Sequence, residues 1–186
     1  GIHTVEDLLY FFPRSHEDRS KIKNIDECVE GETGCIKAKE YNSPIDRYVR
    51  RNMLISSMQV FDDSGMINLV WYNNKYVKNN FREGEDYIFF GKVSRSKQGR
   101  LQMTAPVFEK LGSERFMGKI IPLYPLTRGL SQKVVQSTME LALKEAGKLE
   151  EYLPSDIRKD FKIAEINFSM QNIHFPADLQ SYNIAR

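Results

Sequence analysis

Five segments that alternate apolar and polar residues constrain the fold of this chain more than any other feature. They cover residues 33–41, 53–61, 66–72, 86–95 and 100–111. A period of two is typical of half-buried strands, and glycine- or proline-containing turns separate the segments. A short helix or helical turn is expected at 73–81, between the third and fourth strands. This order predicts a five-stranded Greek-key barrel of the oligonucleotide/oligosaccharide-binding (OB) type.

Helical signals lie on both sides of the predicted barrel. Thr4 can cap a first helix that Pro13 ends, and Ser131 can cap a later helix that ends near Gly147. The first nine residues look like the later half of a helix-hairpin-helix, so we expect a piece of a longer protein. The predicted fold class is mostly β with flanking helices. We expect three segments: N-terminal helices at 1–28, the OB barrel at 29–112, and an extended linker with helices at 113–186.

Composition and motifs exclude several classes of function. The 186 residues are 41% hydrophobic and 28% charged, which is typical of a globular protein, with no apolar run long enough to span a membrane. Two cysteines and three scattered histidines form neither a disulfide framework nor a zinc site. The Gly112–Ile120 segment has one residue too many for a phosphate-binding loop. We therefore expect a cytoplasmic chain that binds no cofactor or metal and has no catalytic activity alone.

Basic residues are concentrated in two stretches, although the net charge is only +2. Between residues 75 and 100 there are seven basic and three acidic side chains, and a second basic stretch surrounds Tyr48, where we expect a loop. A local positive excess is what a phosphate-binding surface requires, but two solvated loops would look the same. The candidate contacts to a nucleic-acid backbone are Arg47, Arg50, Arg51, Lys75, Lys78, Lys92, Arg95, Lys97 and Arg100.

Three aromatic residues stand at the end of the third predicted strand and just beyond it. Strand alternation directs Trp71 into the barrel and Tyr72 to the other face. Tyr72 and Tyr76 are four residues apart, so a helical turn starting at Tyr72 would put both on one side. Half-exposed tyrosines beside lysines can stack on unpaired bases. Alternatively, both rings pack on the barrel rim with their hydroxyl groups in water.

Several motifs together resemble one family. They are Phe11-Phe12-Pro13-Arg14, Glu17-Asp18-Arg19-Ser20, Leu69-Val70-Trp71-Tyr72-Asn73, Gly91-Lys92-Val93, the block from Ile121 to Lys133, and Ile173-His174-Phe175-Pro176. In this combination the chain resembles the N-terminal wedge region of the RecG family of bacterial ATP-dependent DNA helicases. The resemblance extends over nearly the whole chain, and the block from Ile121 to Lys133 is its most specific part.

The resemblance implies a function in DNA repair and recombination. The family remodels stalled replication forks and branched junctions in the bacterial nucleoid, and its wedge is an OB barrel that splits strands at the branch point. Aromatics at the positions of Tyr72 and Tyr76 stack on bases there. Relatives usually have Phe at 72 and Gln-Pro at 74–75, where this chain has Asn74-Lys75. We expect the loss of proline to loosen the turn that directs Tyr76.

The implied partners are branched or forked DNA, single-stranded DNA and the parent protein's own motor domains, with no membrane. ATP and magnesium are implied only for that motor, which this chain lacks. The sequence leaves a second function open, in which the barrel is a protein-docking module or a general single-stranded nucleic-acid-binding module without a helicase role.

Overall fold

The computed structural model describes residues 1–50, 53–82, 84–113, 115 and 117–186, except for the side chain of Arg50. Within these residues there are nine strands. They are β1 (Ser15–Asp18), β2 (Ile22–Lys23), β3 (Thr33–Glu40), β4 (Ile45–Arg50), β5 (Met53–Phe61), β6 (Met66–Tyr72), β7 (Asp86–Arg95), β8 (Leu101–Lys110) and β9 (Ile120–Leu123).

Five α-helices accompany the strands. They are α1 (Val5–Leu9), α2 (Gln132–Ala146), α3 (Ser155–Phe161), α4 (Ile166–His174) and α5 (Leu179–Ala185). Short 3₁₀ turns occupy Ile25–Glu27 and Val77–Asn79. None of the helices in the described part of the chain is long and apolar enough to cross a membrane.

The strand order confirms the predicted OB barrel. Seven strands form one sheet in the order β2-β3-β7-β8-β6-β5-β4, and a short pairing between β3 and β5 closes five of them into a barrel. The barrel strands β3, β5, β6, β7 and β8 match the five alternating segments, and only β6 and β8 run parallel to each other within it. The alternation fills the interior with apolar side chains from every barrel strand, including Ile36, Met58, Leu69, Phe89 and Met103.

One local expectation was wrong and another was met only in part. The second basic stretch, expected to be a loop, contains β4, which pairs antiparallel with β5. The short helix or helical turn expected at 73–81 is the 3₁₀ turn Val77–Asn79, and it does not begin at Tyr72 because Asn73 adopts a left-handed conformation with φ of 53° directly after β6. A residue in that conformation cannot continue a right-handed helix from Tyr72.

Trp71 is held in the barrel by a hydrogen bond to a β-bulge. Its side chain is 4% exposed, and its indole Nε1–H donates to the carbonyl oxygen of Pro106 at 3.1 Å. The register of β7 and β8 shifts between Phe90 and Lys92, which places a bulge on β8 at Ala105 and Pro106. Gly91 faces this bulge, and a Cβ atom there would lie 3.1 Å from Pro106 Cβ. The bulge and the glycine together let the Pro106 carbonyl face the indole.

The chain forms two compact units, where we had expected three consecutive segments. One unit is Arg19–Gly118 and contains the barrel, and the other joins Gly1–Asp18 with Lys119–Arg186. In the second unit β1 pairs antiparallel with β9, so the two stretches of chain that form this unit share one sheet. The predicted caps at Thr4 and Ser131 are both confirmed, and Thr4 forms a full capping box with Asp7.

A buried histidine links the helices of this second unit. His174 Nε2–H donates to the Leu9 carbonyl oxygen at 2.7 Å, since a carbonyl can only accept. Its Nδ1 therefore accepts from the Tyr124 hydroxyl group at 2.8 Å. Burial lowers the pKa of His174, and it raises the pKa of Tyr124. Both side chains are thus held neutral in a small core with Val135, Met139 and other apolar residues.

The neutral His174 predicts that this unit loses stability in mild acid. The unfolded state binds the proton at about pH 6.5 and the folded state only at lower pH, so the free energy of unfolding falls as the pH drops below about 6.5. Burial also lowers the pKa of His16, which adds in the same direction. Urea unfolding at about pH 7.5 and about pH 5.5 measures the difference. His174→Leu should reduce this pH dependence; the same pH dependence in this variant as in the parent chain would contradict the assignment.

The opposite environments of Trp71 and Tyr72 predict different costs of substitution. Trp71→Phe leaves the Pro106 carbonyl unpaired, and we expect the free energy of unfolding to fall by about 1–3 kcal/mol. Tyr72 is 44% exposed, so Tyr72→Ala should cost less than about 1 kcal/mol. Chemical denaturation of the two variants beside the parent chain checks this. A cost for Tyr72→Ala equal to that for Trp71→Phe would show that Tyr72 belongs to the core.

Candidate nucleic-acid interface

The outer face of β5 and β6 is the side turned away from the barrel core. On β6 it carries Asn68, Val70 and Tyr72, and on β5 it carries the residues paired with them. Tyr72 lies directly opposite Ile55, and Ile55 lies opposite Arg47 of β4. Residues opposite each other on adjacent strands project to the same face. The sheet register therefore places the Arg47 and Tyr72 positions in one row across three strands.

Asn73 ends β6 because its side chain takes the place of one backbone hydrogen bond between β6 and β5. Its backbone N–H donates to the Leu54 carbonyl oxygen at 2.8 Å, and its side-chain Oδ1 accepts from Leu54 N–H at 3.0 Å. Asparagine tolerates the left-handed conformation found here better than most residues. Tyr72 is thus fixed as the last strand residue. The helical geometry expected to align it with Tyr76 is absent, although both rings are exposed.

Tyr76 lies on a turn that is held by a buried neighbouring residue and by two side-chain hydrogen bonds. Val77 is fully buried in the barrel core, while Tyr76 is 63% exposed. The Asn74 Oδ1 atom accepts from Tyr76 N–H at 3.1 Å, and Asn80 Nδ2 donates to the Tyr76 carbonyl oxygen at 2.9 Å. Such a side-chain-to-backbone bond across two residues is typical of an asparagine turn. The loosening expected without proline stays a prediction, and in this structure two asparagines form hydrogen bonds across the turn.

Two lysines accompany Tyr76. The Lys75 ammonium nitrogen lies 5.2 Å from the centre of the Tyr76 ring, within the range of a cation–π interaction. Lys78, in the 3₁₀ turn, is exposed. A positive charge beside an exposed aromatic ring is suited to a base and the phosphate next to it.

The second basic stretch contributes Arg47 to this region. Arg47 is exposed, and so is its neighbour Tyr48, which is 78% exposed. The Arg50 side chain and the whole of Arg51 lie outside the described residues, so their candidate roles remain predictions.

The remaining basic candidates lie on β7, on β8 or in the turn between them. Lys92 is opposite Thr104, and Thr104 is opposite Val70, so Lys92 shares the outer face. Arg95, Lys97 and Arg100 surround the turn from Ser96 to Gly99, near the Met66 end of β6. The structure thus separates the predicted backbone contacts into a group beside Tyr72 and Tyr76 and a group at the other end of the outer face.

Tyr41 is a further exposed aromatic that the sequence analysis did not single out. It directly follows β3 and lines a groove of about 550 Å³ together with Arg95 and Arg100. Its signal in the sequence is weak: one aromatic before the Asn42-Ser43-Pro44 break. Among the described residues no group of three or more histidine, cysteine or acidic side chains could hold a metal ion.

Comparison with known proteins identifies the family. A family model described as the RecG wedge domain matches residues 1–146. ATP-dependent DNA helicase RecG of Thermotoga maritima is 29% identical over 191 residues, covering all of this chain and 24% of the relative. RecG of a Synechocystis strain is 27% identical over 203 residues, with the same coverage.

A solved structure of RecG bound to a three-way DNA junction shares the fold of this chain. It superposes with a TM-score of 0.87 at 27% identity, covering all of this chain and 26% of that one. The chain therefore spans about a quarter of the length of the relatives it matches. Since the family model covers most of the sequence, this chain belongs to the RecG wedge domain family.

Proposed function

We propose that this chain is the branch-binding wedge of a RecG-type helicase and that it binds forked or branched DNA where the strands separate. The single observation that carries the proposal is the pair Tyr72 and Tyr76. Both rings are exposed, on a fixed strand end and a fixed turn of a RecG wedge barrel. The RecG structure that this chain matches is bound to a three-way DNA junction, which supports branched DNA as the partner.

The two tyrosines are proposed to stack on bases that lose their partners at the branch point. Each base–aromatic stack contributes roughly 1–3 kcal/mol, and it does not depend on which base is present. A wedge that acts at forks of any sequence needs this kind of contact. The hydroxyl group of tyrosine does not interfere, since it projects from the edge of the ring in the ring plane.

The basic side chains are proposed to hold the phosphates on both sides of the branch. Arg47 shares a row with Tyr72, and Lys75 and Lys78 flank Tyr76. Lys92, Arg95, Lys97 and Arg100 would contact backbone farther along the outer face. Arg50 and Arg51 follow Arg47 in sequence and are proposed as further backbone contacts.

Strand separation itself is assigned to the parent protein. ATP hydrolysis with magnesium belongs to the motor that the relatives carry beyond this region, and this chain is proposed to be inactive without it. Its proposed partners are thus single-stranded and forked DNA together with its own motor domains. A cytoplasmic, nucleoid-associated location stays a prediction.

A protein-docking function is the second candidate, and β4 is the observation that favours it. β4 is the last strand of its sheet, and its Ile45, Tyr48 and Val49 side chains are all exposed. An edge strand that exposes apolar side chains can pair with an extended segment of another protein. In this case the barrel would position other domains rather than contact DNA.

Replacement of both tyrosines tests the stacking role. Tyr72→Ala with Tyr76→Ala should remove two stacks and weaken binding to a three-way junction by about 2–6 kcal/mol if the two losses add. In the full-length protein the same variant should unwind forks far more slowly, which a strand-separation assay measures.

The matched control is Tyr72→Phe with Tyr76→Phe, which keeps both rings and removes only the hydroxyl groups. It should retain nearly normal binding and unwinding. Near-normal activity of the double alanine variant, with its fold intact by circular dichroism, would contradict the stacking role.

The salt dependence of binding separates the two candidate functions. Phosphate contacts make log K fall linearly with log salt, by about 0.7–0.9 for each contact. We expect Lys75→Gln with Lys78→Gln to make the slope shallower by about 1.4–1.8, with Lys148→Gln in the other unit as the control. A slope near zero for the parent chain would favour docking instead.

A further inference from the structure

Among the four buried side chains that the structure describes on β5, Ser56 is the only polar one. The other three, Leu54, Met58 and Val60, are apolar, and Ser56 itself is 0% exposed. A buried hydroxyl group without a hydrogen-bond partner would destabilise the barrel. The partners of Ser56 therefore indicate what this hydroxyl group holds in place.

The first partner of Ser56 is Asp46 on the edge strand β4. The two residues lie directly opposite each other, so the Asp46 side chain projects to the side of Ser56 and away from the outer face that carries Arg47. Ser56 Oγ–H donates to Asp46 Oδ1 at 2.6 Å, a distance typical of a hydroxyl group bound to a charged carboxylate. Asp46 is exposed, so its carboxylate avoids the cost of full burial.

The same hydroxyl group lies beside the turn that carries Tyr76. Ser56 Oγ is 3.4 Å from the Asn74 carbonyl oxygen. The side chain of Asn74 in turn accepts from Tyr76 N–H at 3.1 Å. Asn74 thus contacts Ser56 through its backbone and Tyr76 through its side chain. A movement of Asn74 would therefore be passed on to Tyr76.

The Ser56 hydroxyl group has a single hydrogen and two acceptors within reach. Asp46 is the closer acceptor and is charged, so the hydrogen points to Asp46. Without an acceptor at position 46, the hydroxyl group would turn to the Asn74 carbonyl oxygen. The distance between these two oxygens would then shorten to about 2.7–2.8 Å, the usual length of such a bond. This shortening would draw the turn toward β5.

We propose that Asp46 is a positioning residue for Tyr76 and that it acts through Ser56. Its carboxylate retains the Ser56 hydrogen, so that Asn74 stays at the distance at which Tyr76 presents its ring to a base. The inference rests on the proposed function, since the affinity for a junction depends on this placement only if the ring stacks at the branch point. It also gives a reason for an acidic side chain directly before Arg47 in a basic stretch.

Two variants of Asp46 remove the same charge and differ in the acceptor. Asp46→Asn keeps a side-chain oxygen that can accept from Ser56, whereas Asp46→Leu has none. Binding of the 186-residue chain to a labelled three-way junction is followed by fluorescence anisotropy. Asp46→Leu should bind about 5-fold or more weakly than Asp46→Asn, the lower end of the loss for one stack. Asp46→Ala also lacks an acceptor and should behave as Asp46→Leu does.

A Ser56→Ala background tests whether the effect passes through the hydroxyl group. In that background Asp46→Asn and Asp46→Leu should bind the junction equally, because no hydroxyl hydrogen remains to be redirected. Circular dichroism checks that each variant is folded. A difference that persists in the Ser56→Ala background overturns the proposal. Equal affinity of the two variants in the chain that keeps Ser56 also overturns it, provided that Tyr72→Ala with Tyr76→Ala does weaken junction binding.

Nuclear magnetic resonance of the chain without DNA separates this inference from the proposed function. The backbone amide signals of residues 74–77 should differ between Asp46→Leu and Asp46→Asn, while those of the distant turn at 62–65 should coincide. Coinciding signals at 74–77 overturn the positioning role. If these signals differ while Tyr72→Ala with Tyr76→Ala binds the junction normally, branch-point stacking fails and the positioning of the turn by Asp46 stands.

Discussion

The burial of Trp71 against the β-bulge of β8 determines which face of β6 meets solvent. A slip of one residue in the pairing of β6 would move Trp71 into water and Tyr72 into the core. The hydrogen bond from Trp71 Nε1 to Pro106 opposes that slip, because both groups are buried and each would lose its partner. The bulge in turn requires the close approach of Gly91 to Pro106. The outer-face residues of β6, Asn68, Val70 and Tyr72, all depend on this register.

The turn after β6 is held by hydrogen bonds from asparagine side chains. Proline stiffens a turn by restricting φ. Here Asn73, Asn74 and Asn80 each use a side-chain amide to satisfy a backbone group of the turn or of the strand beside it. These hydrogen bonds supply a restriction that a proline would supply through its ring, and the Lys75 ammonium nitrogen lies 5.2 Å from the centre of the Tyr76 ring. This charge lies where the proposed function needs one.

The barrel could be predicted from the sequence because its signals are local. Each barrel strand can be recognised by apolar and polar residues that alternate over seven to ten positions, and turn residues mark its ends. Features that depend on distant partners could not be predicted in this way. The pairing of β1 with β9 joins residues more than 100 positions apart, and β4 is defined by its contact with β5. The pair Tyr72 and Tyr76 was identified correctly as exposed but for a wrong reason, since a single left-handed residue at Asn73 replaced the expected helix.

The aromatic side chains of the proposed site contribute little to the stability of the fold, and the backbone that carries them is held in place. Tyr72 is the last residue of β6 and pairs with β5, and Tyr76 lies on the next turn, where Asn74 and Asn80 hold its backbone by hydrogen bonds. Because these rings are preorganised, binding would lose little conformational entropy and retain most of the stacking energy. Because they are exposed, their replacement would change affinity far more than stability. That separation allows binding to branched DNA to be tested without unfolding the barrel that presents it.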